Sequence, residues 1–203
     1  MKAPPPQQNL QRAAELAFQG LARQSAEQVQ WLGAACEDSL WCLPVLGGNF
    51  HIDLVARQVT TSDGRPVGPS WRILTLHYLA IAARPEPCEP EITFAELLTA
   101  RSYADVYHRR VIGRLCATAG RDASRLRPAA EALGGRAVPG GDLAFQFAMF
   151  PRLAVQLVWY ASDDEFPPSA TLLLPRNAES YLCPEDLVVL SECLVARLGG
   201  RPF

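Results

Sequence analysis

Two periods of apolar residues divide this chain. In the first third the spacing is helical. Leu10, Ala14, Ala17, Leu21, Val29 and Leu32 fall close to one face, with Arg12, Glu15, Arg23 and Glu27 turned elsewhere, which predicts a helix from Gln8 to about Leu32. Gly33 and Cys36–Ser39 interrupt it. Trp41–Val45 reads as a short strand, and Phe50, Ile52 and Leu54 alternate with His51 and Asp53 in a run that continues to Thr61. Ser62-Asp63-Gly64-Arg65 then carries the Asp-Gly signature of a hairpin, and Pro66 restricts the returning strand to an edge or a short piece.

A stretch from Trp71 to about Ala83 is apolar almost all round, as a buried helix is, with Ser70 placed to cap it. Three prolines between Arg84 and Pro90 make a loop. Thr93-x-x-Glu96 is a capping box, so a helix is expected from Thr93. A second helix spans Arg101–Ala119, with Tyr103, Tyr107, Val111 and Leu115 at four-residue steps. A third, Ala123–Leu133, ends at Gly134-Gly135.

From Leu143 the period switches to two. Leu143, Phe145, Phe147 and Met149 share one face; Leu153, Val155, Leu157 and Trp159 repeat the pattern after the turn at Phe150-Pro151-Arg152. Ala161–Pro168 is a connection and Ala170–Leu174 a third strand, and short connections favour an antiparallel meander. Pro184 at a first helical position, followed by Glu185 and Asp186 in the first turn, opens a last helix lined by Leu187, Leu190, Leu194 and Leu198. The expectation is an α+β fold: one antiparallel sheet of five or six strands packed against helices, in a single domain over 9–200, after a proline-stiffened disordered tail over 1–8.

Composition narrows the classes. With 203 residues, 49% hydrophobic and 20% charged, the chain can build a sizeable core. A net charge of -2 disfavours a general nucleic-acid binder. No apolar run is long enough to span a membrane, and the polar N-terminus lacks the apolar stretch of a secretory signal, so cytoplasmic residence is expected. The six cysteines, Cys36, Cys42, Cys88, Cys116, Cys183 and Cys193, include no C-x-x-C pair and read as small hydrophobes and free thiols. Lys2 is the one lysine among 19 basic residues, a skew that GC-rich coding explains.

Gly140-Gly141-Asp142, Phe150-Pro151-Arg152-Leu153, Leu157-Val158-Trp159, Asp163-Asp164-Glu165-Phe166-Pro167, Tyr181-Leu182 and Glu185-Asp186-Leu187 occur in one order. Leu76-His77-Tyr78-Leu79 and Thr93-Phe94-x-Glu96-Leu97 stand upstream of them. Together they resemble a bacterial and archaeal family of similar length, the domain of unknown function of the DUF3786 type, over about residues 10–198. The resemblance implies no established reaction. It implies an association with anaerobes and, in some relatives, an added cysteine-rich iron–sulfur segment. This sequence has no such segment, and Leu174-Pro175-Arg176 stands where the pattern would place an aspartate.

The sharpest chemical feature is Asp163-Asp164-Glu165. Adjacent carboxylates raise one another's pKa unless a cation is near. On a loop they can bind a hard cation, an arginine-bearing partner or a proton in transfer; equally they can be a solvated loop tip, with Phe166 anchoring it in the core. His77, on the apolar helix, is either a ligand or proton carrier or a core histidine with a hydrogen bond. His51 and Asp53 share a strand face but would need a further ligand to hold a metal. The arginine-rich 101–136 and acid-rich 163–192 segments can attract each other within the fold or between subunits.

No G-x-S-x-G, phosphate-loop, dinucleotide or H-E-x-x-H motif is present. The reading is therefore a binding or accessory module that engages a protein partner or small ligand through the acidic loop, Asp163, Asp164 and Glu165, with Arg152. The alternative is a metal- or cofactor-dependent enzyme or accessory factor of anaerobic redox or one-carbon metabolism, with His77 and the same carboxylates around one cleft. Neither a cofactor nor a metal is named by the residues. Geometry separates the two: convergence of His77 and the acidic loop in one pocket favours the enzyme.

Overall fold

The computed structural model describes residues 6–203. The α+β class holds, but the strands form two antiparallel sheets rather than one. Two helices lead: α1 (Pro6–Leu21) and α2 (Ala26–Trp31). The first takes in residues 6–8 of the expected tail, whose first five residues lie outside those described. The single helix expected to Leu32 breaks because Ser25 caps a new start, its Oγ accepting from the Gln28 N–H at 3.2 Å.

The first sheet has four strands in sequential order: β1 (Ala35–Glu37), β2 (Leu40–Val45), β3 (Gly48–Asp53) and β4 (Gln58–Thr61). The run expected to continue from Phe50 to Thr61 is folded back on itself. Asp53 Oδ1 accepts from the N–H groups of Val55 and Ala56, both at 2.8 Å, and turns the chain there. The Asp-Gly hairpin follows as expected, but Pro66 holds its return to one bridge, with Thr60.

Helix α3 (Pro69–Leu79) is capped by Gly68 rather than Ser70 and ends before Ala83. Its end is set from outside. Gln24 Nε2 donates to the carbonyls of Ala80 and Ile81, and the buried Gln28 donates to those of Ile81 and Ala83. Two side-chain amides thus satisfy the carbonyls that another helical turn would have used.

The second sheet runs in the order β5 (Pro90–Thr93), β9 (Ser169–Pro175), β8 (Leu153–Tyr160), β7 (Leu143–Phe150), β6 (Arg136–Ala137). The period-two residues at 143, 145, 147 and 149 and at 153, 155, 157 and 159 are all buried. Between β5 and β6 lie α4 (Ala104–Tyr107), a π-helical turn (His108–Ile112), α5 (Gly113–Ala117) and α6 (Ala123–Ala132). The capping box at Thr93 forms, with Glu96 Oε2 accepting from the Thr93 N–H and hydroxyl at 2.7 Å, but it starts one 3-10 turn, Phe94–Glu96, not a long helix. Helix α7 (Pro184–Leu198) closes the core, with Leu187, Leu190, Leu194 and Leu198 buried. One apolar cluster takes side chains from both sheets and from α1, α3 and α7. No helix among the described residues is long and apolar enough to cross a membrane.

Candidate functional site

Strand register divides the candidates between the two ends of the second sheet. The β7–β8 turn, with Pro151 and Arg152, lies at the end where β9 finishes. The β8–β9 connection, 161–168, lies at the other end, and β9's seven residues span roughly 20 Å between them. Arg152 and the carboxylates 163–165 are therefore not neighbours.

At the first end Arg152 is absorbed by the fold. Its guanidinium carbon lies 3.9 Å from the Trp31 ring centroid, and its Nε donates to the Trp31 carbonyl at 2.5 Å. The Arg152 N–H donates to the Tyr78 hydroxyl at 3.2 Å, and that hydroxyl donates to the Leu32 carbonyl at 2.7 Å. Tyr78 also stacks on Phe150, centroids 4.4 Å apart at 11°. Burial holds the Tyr78 phenol neutral, well above its ordinary range. Gly33 completes the joint: with φ at +96°, a Cβ there would fall 2.4 Å from Pro151 Cβ. Tyr78 stands in the Leu76-His77-Tyr78-Leu79 motif, but nothing in the sequence ties it to Trp31, for which an aromatic just before Leu32-Gly33 is the available signal.

His77, one residue from Tyr78, is half-buried on α3. Its Nδ1 lies 2.8 Å from Asp186 Oδ2 in the first turn of α7. The hydrogen bond to that carboxylate raises the imidazole pKa against the opposing effect of burial. Cys183, the residue capping α7, shares Asp186. Burial chiefly raises its thiol pKa, and the neighbouring carboxylate works in the same direction. His77 belongs to α3 and Asp186 to α7. The pair is a strut joining α3 to α7.

The acidic loop behaves differently. Asp163 shapes it: Oδ1 accepts from the N–H groups of Glu165 at 2.9 Å and Phe166 at 2.7 Å, and the Asp163 N–H donates to the Phe166 carbonyl at 3.0 Å. Those two N–H donors, Glu165 first, lower the Asp163 pKa, opposite to the rise expected of it beside other carboxylates. Among the described residues no hydrogen bond or ion pair engages the carboxylates of Asp164 and Glu165, both exposed. Phe166, expected to anchor the loop in the core, is 64% exposed. The loop needs no such anchor, because its turn is closed by Asp163 and its base by Asp142, whose Oδ2 accepts from the Ala161 N–H at 2.8 Å.

His51 and Asp53 share a face of β3, but Asp53 is spent on the turn. Among the described residues no group of three or more His, Cys, Asp or Glu side chains is placed to hold a metal ion. All six cysteines are free; Cys193 alone is buried, its thiol pushed up to about 12 by burial. The opposite charges of the two long segments meet inside the fold at one point, where Arg110 grips Glu192 of α7 through Nε at 2.8 Å and Nη2 at 2.7 Å.

A cleft the sequence did not reveal lies between the β5–β9 edge and the helical segment. It holds about 230 Å³ and is lined by Phe94, Tyr107, His108, Ile112, Thr171 and Leu172, among others. Tyr107 stacks on Phe94, centroids 4.2 Å apart, and its hydroxyl donates to Ser191 Oγ at 3.0 Å, which fixes one wall. His108 opens the π-helical turn, a device found often at functional sites.

Neither a curated protein nor a solved structure matches this chain. A family model does match, over residues 25–197, so the chain belongs to the family described as domain of unknown function DUF3786.

Proposed function

We propose that this domain is a binding or accessory module whose β8–β9 loop engages a partner bearing basic groups. The observation that carries this reading is the pairing of outward carboxylates at Asp164 and Glu165 with the exposed ring of Phe166. Asp163 spends its Oδ1 on holding that tip. Charge attracts and orients a cationic partner, and an exposed aromatic supplies desolvated contact area. Arg152 drops out of the proposal, since Trp31 and Tyr78 occupy it at the far end of the sheet.

The alternative, a metal- or cofactor-dependent enzyme or accessory factor of anaerobic redox or one-carbon metabolism, draws His77 and the carboxylates around one cleft. His77 is instead taken up by Asp186 of α7, while the carboxylates belong to the β8–β9 loop, which favours the module.

The test is binding of synthetic arginine-rich peptides to the full chain, followed by fluorescence anisotropy against salt. Affinity should fall as salt rises and drop at least tenfold in an Asp164→Lys, Glu165→Lys, Phe166→Ala variant. Equal binding by this variant and the parent defeats the loop reading. A stoichiometric metal or tetrapyrrole in protein purified without oxygen would restore the enzyme.

A further inference from the structure

Strand β9 is half-paired on one side. Its ladder with β5 runs Pro90↔Pro175, Ile92↔Leu174 and Thr93↔Leu173, and stops where the chain enters the 3-10 turn at Phe94. Residues 169–172 therefore have β8 on one side and, among the described residues, no strand on the other. The direction of the free groups follows from the neighbouring strands. The Trp159 carbonyl accepts from the Asp142 N–H at 2.9 Å, on the β7 side of β8. In an antiparallel strand the N–H and C=O of one residue point the same way. Trp159 thus offers no hydrogen bond to its cross-strand partner Ala170, and Ala170, only 9% exposed, turns its own N–H and C=O toward the other edge of β9, which borders the cleft.

Edges of this kind are commonly blunted by charge or proline. Here Ser169, Ala170, Thr171 and Leu172 carry no charge, while Pro167 and Pro168 stop any ladder from extending further back. Beside the open edge lies the cleft of about 230 Å³, apolar at Phe94, Tyr107 and Ile112, with His108 at its wall. Its volume suits one large side chain. At the other end of the free stretch the chain runs back, through the two prolines, into Phe166 and the carboxylates 163–165.

We propose that this edge is a strand-pairing site for an extended peptide segment of a partner protein. The segment would place one apolar side chain in the cleft and a basic residue against Asp164 and Glu165. Main-chain pairing supplies affinity, and the alternating side chains supply selection. The proposal rests on the loop's role in binding a basic partner and specifies the form that partner takes. The exposed carboxylates of Asp164 and Glu165, unpartnered among the described residues, lie at the end of this edge and favour a basic peptide as its occupant.

The experiment uses the full chain and two synthetic decapeptide libraries. Both alternate apolar and polar positions around a fixed leucine or phenylalanine; one ends in arginines, the other in glutamates. The arginine series should bind, and binding should slow amide exchange at Ala170 at least tenfold. Ala170→Pro, which removes the outward N–H, should weaken binding at least tenfold. Because this variant can fail to fold, the same question is put to the ligand. N-methylation at alternate peptide positions should abolish binding in one register and spare it in the other.

Binding that is lost in the loop variant but indifferent to N-methylation, with Ala170 exchange unchanged, overturns edge pairing and leaves the loop reading intact. Edge protection by the glutamate series as strong as by the arginine series overturns the charge argument and the loop reading together. A dimer that Ala170→Pro dissociates assigns the edge to a second copy and overturns the peptide proposal.

Discussion

The two ends of the second sheet use polar side chains in opposite ways. At the β7–β8 turn every named group is spent: the Arg152 Nε on Trp31, the Tyr78 hydroxyl on Leu32 and the Arg152 N–H, and the Gly33 approach on Pro151. At the β8–β9 loop only Asp163 is spent, and its neighbours face solvent. Buried polar groups must be satisfied, so the first end has little left to offer a ligand. The second end is closed by two side chains, Asp163 and Asp142, and can present the others. Charge alone therefore does not mark a site; what marks it is charge that the fold does not consume.

The contrast can be broken most severely at Tyr78. Tyr78→Phe keeps the ring against Phe150 but leaves the Leu32 carbonyl without its donor and the Arg152 N–H without its acceptor. It should lower unfolding free energy by about 1–3 kcal/mol in urea titration. An equal cost for a loop substitution would erase the distinction between the ends.

The strut beside Tyr78 gives a weaker, pH-dependent effect. The folded-state pKa of His77 is raised above 6.5 by its hydrogen bond to Asp186. The folded protein therefore holds that proton more tightly than the unfolded chain. The stabilisation is complete below about pH 6.5 and is lost as pH rises through the higher folded value. Thermal melts should show this slope in the parent and a flatter profile in His77→Gln. A slope of the opposite sign would remove the assigned ion pair.

The smallest effect belongs to the loop. Asp164→Asn should change stability by no more than about 0.5 kcal/mol, as expected of an exposed, unpartnered side chain. A larger shift in melting temperature would show that the tip is structural after all.

The parts of the fold that read from the sequence are those with long local periodicity. Strands β7 and β8 followed from eight-residue alternations, and α7 from Pro184, two acids and a leucine stripe. The parts that did not read are short or set from a distance. Strands β1, β5 and β6 have two to four residues each and exist through their partners. The end of α3 depends on Gln24 and Gln28, more than fifty positions away. The candidate residues were visible as types, but not their employment: His77 gave no hint of Asp186, and Arg152 none of Trp31. Ala170 was illegible altogether, because an unpaired backbone group is a property of the ladder and not of the residue.

The π-helical turn at His108–Ile112 sets the rotation of everything downstream of it. Tyr107, Val111 and Leu115 are all buried at four-residue intervals, although a regular α-helix advances about 400° over four residues and drifts off line. The wider winding absorbs that drift. A π-helical turn takes in one residue more than an α-helical turn for about the same rotation, so deleting a single residue there should restore ordinary winding and leave Leu115 on nearly the face it now occupies.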